Sequence, residues 1–437
     1  MDATRREFLQ SVSAAAVAGS VGATAEATRA SSVAASVGAA STSSAAATSK
    51  ADRSTQVNPS DPLGVRADFP VIESGTYLDS PYIAPSPRQV LEAGRKFLEA
   101  KAADPVPLGS MLEETGIVRR KFAELIGAKE PEIGILDATS AGENLVANSL
   151  DLVAGDNVVI DDLHYETTFV LYRHLEETTG VELRILESED GAATPEEFAA
   201  LVDDNTKLVS VSWVSHQNGY RHDLKALADL AHAHEAYLYA DAIQGIGMLA
   251  LDVEDVGIDF LTSGTYKWLL GGFGVAPFYV REPLLDIVKP DRLGAFSVAR
   301  NLGDFHFELH KSGSKFLYAT PAFGAIYQLR AGIDYLLQVG VEKIEHHTVG
   351  LARQIHEGLT EQGFDVLTPV GNDSAIVTFN HGQDHDVVTR ALEEVSIQAT
   401  VRQESGQIRI GPALFNNAAE IEGFLDVTGA LKTSRAT

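Results

Sequence analysis

The chain has 437 residues, 45% of them hydrophobic, enough for a large core and for more than one domain. Acids outnumber bases 61 to 34, for a formal charge of -27; this argues against nucleic acid or an anionic membrane as partner and leads us to expect a surface suited to high salt, where self-repulsion is screened. There is no cysteine, so disulfides, thiolate metal sites and thiol catalysis are excluded.

At the front, Arg5 and Arg6 precede Phe8-Leu9 and a mildly apolar stretch from Val12 to Val21. This has the form of a twin-arginine export signal over residues 1–27, with cleavage after Ala25 or Ala27. The stretch is too short, and too rich in Ala, Gly and Ser, to serve as a membrane anchor. Export to an extracellular or periplasm-like space is therefore expected, with a cytoplasmic location if the signal is not used. Residues 28–60 are mostly Ser, Ala and Thr without apolar periodicity, the composition of a flexible tether.

From Phe69 onward strands alternate with amphipathic helices. The strand candidates are 133–136, 157–161, 181–186, 207–213, 237–240, 260–262 and 276–280. Thr194, Pro195 and Glu197 form a capping box at a helix start, and Asp223 to His234 reads as another helix. This rhythm predicts an α/β fold with a mostly parallel sheet covered on both faces over residues 68–324. Active residues then belong at the C-terminal ends of its strands. After Pro321 two long helical runs, 323–338 and 341–362, lead to shorter strands near 374–379 and 407–410. These predict a smaller C-terminal α/β domain, 325–437.

The chemistry concentrates around Lys267. Asp241 ends one strand, Gln244 follows it, and 26 residues after Asp241 comes Lys267, preceded by Tyr266 and followed by the turn Gly271-Gly272-Phe273-Gly274. A lysine amine, a carboxylate at a strand end and small residues where backbone approaches a ring suit a Schiff-base site for pyridoxal phosphate. Upstream, Ser140, Ala141 and Gly142 open a helix after the strand 133–136, where free backbone N–H groups favour a phosphate. The pairs His346-His347 and His381…His385 bring no third ligand set, so no metal site is expected.

The run from Asp241 to Gly274 resembles the class V branch of the fold-type-I pyridoxal-phosphate enzymes, which includes class V aminotransferases, cysteine desulfurases, isopenicillin-N epimerase and kynureninase. The resemblance implies that Lys267 holds the cofactor and, once freed by a substrate amine, moves the α-proton, and that Asp241 pairs with the ring nitrogen. It places Tyr165 against the cofactor ring, with His164 as the alternative, and His216, where desulfurases commonly have Asn, near the ring hydroxyl. Gln244 and Tyr266 complete the cofactor contacts. Lys315 to Pro321 is similar to a segment that reaches the phosphate of a neighbouring subunit through Thr320, so a homodimer is implied; Ala319 stands there in place of a glycine. Arg409 is implied to hold the substrate α-carboxylate, with Arg402 as a second candidate and Tyr82 walling the pocket. The implied activity is that of an enzyme acting on an amino acid joined to the cofactor through its amine, aminotransferase-like or isopenicillin-N-epimerase-like. The alternatives are a cysteine-independent C–S or C–Se lyase and a non-catalytic exported protein on the same fold.

Overall fold

The computed structural model describes residues 58–434; the expected export signal and nearly all of the expected tether lie outside the described residues. Fifteen strands occur among the described residues: β1 (Thr76–Tyr77), β2 (Ile133–Leu136), β3 (Asn157–Asp161), β4 (Glu182–Leu186), β5 (Thr206–Ser212), β6 (Tyr237–Asp241), β7 (Phe260–Thr262), β8 (Ala276–Val280), β9 (Val298–Gly303), β10 (His306–Leu309), β11 (Asp365–Val366), β12 (Val377–Asn380), β13 (Ile397–Gln398), β14 (Thr400–Arg402) and β15 (Gln407–Ile410). Seven make one sheet in the order β2-β8-β7-β6-β5-β3-β4. Its pairs are parallel except for β8, which runs antiparallel to both β7 and β2.

Both faces of this sheet are covered, and the strand sequences show why. Leu238 and Ala240 point into one core cluster with Val209, Val211 and Leu261, while Tyr239 points into another with Leu208, Phe260 and Phe278. Alternation with period two sends successive side chains to opposite faces, so a strand buried on both sides is apolar nearly throughout. Asp241, at the end of β6, breaks that run.

The chain steps outward from β3 to β4, then returns to place β5 on the other side of β3. That reversal opens a crevice beyond the C-terminal strand ends, where ligands bind in doubly wound sheets. The capping box forms as expected, with Thr194 accepting from the Glu197 N–H, but its α-helix is only Pro195–Phe198. Asp223 caps the helix Leu224–Ala233 through the Ala226 N–H.

The second sheet is antiparallel throughout, in the order β11-β12-β15-β14. It has its own core, in which Phe379, Ile408 and Ile410 pack with Ile355 and Leu359 of the helix Val341–Glu361 and with Phe424. The helix Phe323–Val339 instead packs on the helices Arg88–Ala103 and Leu108–Ile126. Near the N-terminal side, β1 pairs with β13 and Asp79 bridges Gly411, drawing the Asp79–Pro87 loop against the smaller sheet.

Candidate active site

Asp241 forms the floor of the crevice. It is 7% exposed, and its Oδ1 accepts the Ile243 N–H at 3.0 Å. Burial pushes its carboxyl above the ordinary range; nearby His164, the Ile243 hydrogen bond and Lys267 pull it back, and Glu143 adds to the rise.

Lys267 enters from the loop after β7. The Thr265 hydroxyl donates to the Gly272 and Val275 carbonyls, and the Gly271 N–H returns to the Thr265 carbonyl at 2.8 Å. Within this closed loop Leu270 adopts φ 61°, and its N–H bonds the Lys267 carbonyl at 2.8 Å. A non-glycine residue held there is the kind of local strain that collects at functional sites. The Lys267 Nζ lies 5.8 Å from the centroid of the Tyr266 ring, which stacks on Phe273 at 4.5 Å. Burial lowers the Lys267 amine to about 8; Asp241 and Asp79 work against that fall and Arg409 reinforces it. Near neutral pH a sizeable share of such an amine is unprotonated and able to attack an aldehyde.

Opposite the lysine stand two arginines of the smaller sheet. Arg409 is buried, donates through Nη1 to the His216 carbonyl at 2.9 Å, and lies 3.3 Å from the Thr400 hydroxyl through Nη2. Burial lowers its guanidinium to about 10, with neighbouring Arg402 adding to the fall and Asp79 and Glu166 opposing it. Thr400 in turn donates to Asp79 Oδ1. Asp79 therefore stands among Lys267, Arg409 and Thr400, with its carboxyl raised by burial against the pull of those three.

His216 follows β5. Its ring meets Tyr165 edge-on, centroids 5.1 Å apart, and its Nε2 lies 3.4 Å from Glu166. Burial drives it down to about 4; Glu166 resists, and Arg409, Lys267 and Arg402 add to the fall. The imidazole is neutral throughout the physiological range.

At the expected phosphate end, just after β2, the helix Thr139–Ser149 begins without a side-chain cap, and the Ala141 N–H turns back to the Ala138 carbonyl at 3.2 Å. The Gly264 N–H is fixed beside it by the Thr139 hydroxyl at 2.9 Å, and Ser140 Oγ faces Thr167 Oγ1 at 3.2 Å. Ser140 and Ala141 stand in the first turn of this helix, where the cup is expected. Gly142 does something else: a Cβ there would sit 1.9 Å from Thr262 Oγ1, so glycine is required by the packing of the helix onto β7.

Two of the expected site residues also have structural partners of their own. Gln244 is held at both ends of its amide, accepting from Trp268 Nε1 and donating to the Pro81 carbonyl, each at 2.9 Å, so it ties the lysine loop to the Tyr82 loop. Arg402 is directed at the His216 and Gln217 carbonyls and at Gln407 Oε1, which makes it a brace for the loop after β5. Thr320 is exposed in the segment before the helix Phe323–Val339; its expected role lies across a subunit interface. Tyr82, 61% exposed, lies on the loop that includes Asp79, as a pocket wall requires. Sequence reasoning missed Asp79, Glu166 and Thr400 as site residues. Asp79 and Glu166 stood inside segments already singled out, next to Tyr82 and Tyr165.

The residues fit pyridoxal phosphate. Lys267 and Asp241 each shift the other's proton affinity, the helix Thr139–Ser149 begins without a side-chain cap, and Arg409 Nε and His216 Nδ1, both in electrostatic contact with Lys267, are buried without a hydrogen-bond partner, as groups awaiting a ligand would be. Comparison with known proteins agrees. Residues 76–423 match the family Aminotransferase class-V. The chain is 28% identical over 370 residues to the uncharacterized aminotransferase YcbU of Bacillus subtilis, covering 84% of this chain and 98% of that protein. It is 31% identical over 338 residues to a cysteine desulfurase of Salmonella typhimurium, covering 74% and 83%. The apo structure of a cysteine desulfurase from Thermococcus onnurineus superposes with a TM-score of 0.79 at 26% identity, covering 86% of this chain and 98% of that one. The chain belongs to the class-V aminotransferase family.

Proposed function

We propose that the protein acts at the α-carbon of an α-amino acid, as an aminotransferase or an isopenicillin-N-epimerase-like enzyme. The observation that carries this is the buried Arg409 guanidinium near Lys267, oriented by the His216 carbonyl and Thr400 with its Nε left without a partner. An α-amino acid presents a carboxylate one carbon away from its amine, so a buried guanidinium near the lysine matches the carboxylate while the amine goes to the cofactor that Lys267 holds.

Pyridoxal phosphate, when bound, supplies an electron sink that makes the α-proton removable. Asp241 holds a proton at the ring nitrogen, which keeps that sink deep. Arg409 offers a planar guanidinium to the substrate carboxylate, oriented by its bond to the His216 carbonyl and by Thr400. Lys267, lowered to about 8, takes the α-proton and returns it. Inversion requires that a second proton donor, on the face opposite Lys267, supply the same atom, whereas return of the proton by Lys267 to another atom leads to transamination. Tyr165 and His216 cover the crevice beside it.

A second reading is favoured by the relatives named cysteine desulfurase. Without any cysteine in the chain, sulfur cannot be carried on the polypeptide as a persulfide, so this reading is direct release of sulfide or selenide. The deciding experiment incubates cofactor-loaded protein with a panel of L- and D-amino acids, with and without a keto-acid acceptor, and measures keto acid, enantiomer and sulfide. Keto acid or inverted amino acid is expected. Sulfide from cysteine as the dominant product would replace the first reading by the second, and failure to take up the cofactor would support a non-catalytic role.

A further inference from the structure

Glu143 and His164 play no part in the mechanism above, yet Glu143 is 4% exposed and His164 0%. A buried carboxylate is costly unless its oxygens are satisfied. This one is satisfied from two elements: Ser210 of β5 donates its hydroxyl to Oε1 at 2.7 Å, and Thr168 donates to Oε2 at 2.8 Å from the helix Glu166–Thr179.

The tautomer of His164 follows from its neighbours. The Tyr165 backbone N–H can only donate, and it meets Nδ1 at 2.8 Å. Nδ1 is therefore an acceptor and the ring proton sits on Nε2. Nε2 lies 3.2 Å from Ser210 Oγ and 3.7 Å from Glu143 Oε1. The single hydrogen of Ser210 is directed at Glu143, so its oxygen accepts from the imidazole. A chain of donors runs from His164 through Ser210 to Glu143.

This chain ends under Asp241. Ser212 Oγ is 3.2 Å from His164 Nδ1, and Ser212 is the register partner of Asp241 across β5 and β6. Ser210, Ser212, Tyr239 and Asp241 share one sheet face by strand alternation. The charged or titratable groups in this layer are Glu143, His164, Tyr172, Tyr239 and Asp241. The two tyrosines are fully buried and held protonated, by burial first and by the Glu143 charge second.

We propose that Glu143 is a second carboxylate near Asp241, held in place by Ser210, Thr168 and His164, and that the two carboxylates together keep a proton on the cofactor's ring nitrogen. Glu143 is a positioning residue here, since it acts through Asp241 and touches neither cofactor nor substrate. The proposal rests on the assignment of Asp241 to the ring nitrogen.

The test uses the full chain freed of cofactor and compares its affinity for pyridoxal phosphate with that for the 1-deaza analogue, in which C–H replaces the ring nitrogen. The ratio of the two dissociation constants reads the ring-nitrogen interaction alone, without turnover. The wild-type chain is expected to prefer pyridoxal phosphate. Glu143→Gln is expected to reduce that preference about tenfold, the equivalent of one unit of proton affinity, with affinity for the analogue unchanged. Glu143→Asp, which keeps the charge, is expected to recover most of it. His164→Asn keeps an acceptor for the Tyr165 N–H but loses Nε2, and is expected to reduce the preference about threefold, a fraction of the same unit. If Glu143→Gln does not fold, Ser210→Ala carries the test with the same expected direction. A wild-type ratio in Glu143→Gln, or in Ser210→Ala where that stands in, overturns the proposal while leaving Asp241 in its role. A wild-type chain that does not discriminate, matching Asp241→Asn, overturns the Asp241 assignment and the proposal with it.

Discussion

The two sheets contribute to the site in different ways. The seven-stranded, mostly parallel sheet delivers Asp241 from the end of β6 and Lys267 from the loop after the neighbouring β7, each set by a short turn. The four-stranded antiparallel sheet delivers Arg402 and Arg409, which reach across and grip the loop after β5 by its backbone. That grip is continuous. The carbonyls of His216, Gln217, Asn218 and Gly219 all accept hydrogen bonds from side chains of residues 368–409, among them Thr378 at 2.8 Å, Thr368 at 2.6 Å and Ser374 at 2.6 Å. Gly219 is needed there, since a Cβ would meet the Ile376 carbonyl oxygen at 2.3 Å at a φ of 81°. On the proposed reading, the larger sheet fixes the groups for chemistry at the α-carbon. The smaller one fixes groups for recognition and holds His216 in place while doing so.

If that division is right, variants should separate by sheet. Lys267→Ala should have the largest effect, lowering kcat by about 10³-fold or more, since both the amine and the proton carrier are lost. Residual turnover near wild type would remove Lys267 from the chemistry. Asp241→Asn should lower kcat by about 10²-fold with KM little changed, measured as a slowed single turnover with a deuterium effect on the α-proton. Arg409→Lys, on the other sheet, should chiefly raise KM, by about tenfold, because the planar fork is lost. An equal penalty with a substrate lacking the carboxylate would break the comparison.

Two pH effects sharpen it further in cofactor-free protein. Lys267 sits at about 8 when folded against 10.5 ordinarily, so between those values the unfolded chain binds more protons and stability gains as pH rises through the window. Lys267→Met should flatten that slope in urea titrations at pH 8 and pH 10. His216, at about 4 against 6.5, behaves alike lower down: the stability it contributes as a neutral ring is whole above 6.5 and is lost as pH falls towards 4. His216→Asn should remove this smaller acid-side loss. A wild-type acid limb in the variant would show that the ring does not report this burial.

Much of the fold was legible beforehand because it rests on local patterns. The strands 157–161, 260–262 and 276–280 lie where their apolar runs end at turn residues, and the helix Phe323–Val339 begins after Pro321 as its periodicity predicts. The hairpin of β9 and β10 was missed. Its strands are largely exposed and paired only with each other, so no alternation of buried and exposed positions marks them. Within the site, Asp241 was legible because it closes a strand, and Lys267 because an aromatic precedes it and a glycine-rich turn follows it. Glu143 was not, since a glutamate in a helix looks solvated until Ser210, 67 residues later, is seen to meet it.

The sequence by itself determined the family, the cofactor lysine and its acid, and the strand ends on which they stand, since all of these depend on neighbours along the chain. Tertiary structure alone decided that Arg402 braces a loop, that Gly142 makes room for Thr262, that Gln244 links two loops, and that Asp79 sits among Lys267, Arg409 and Thr400. In those cases the outcome depends on which partner a side chain meets across the fold. A guanidinium or a carboxylate has the same chemistry in any sequence; the burial and the partners it finds on folding set its charge and its role.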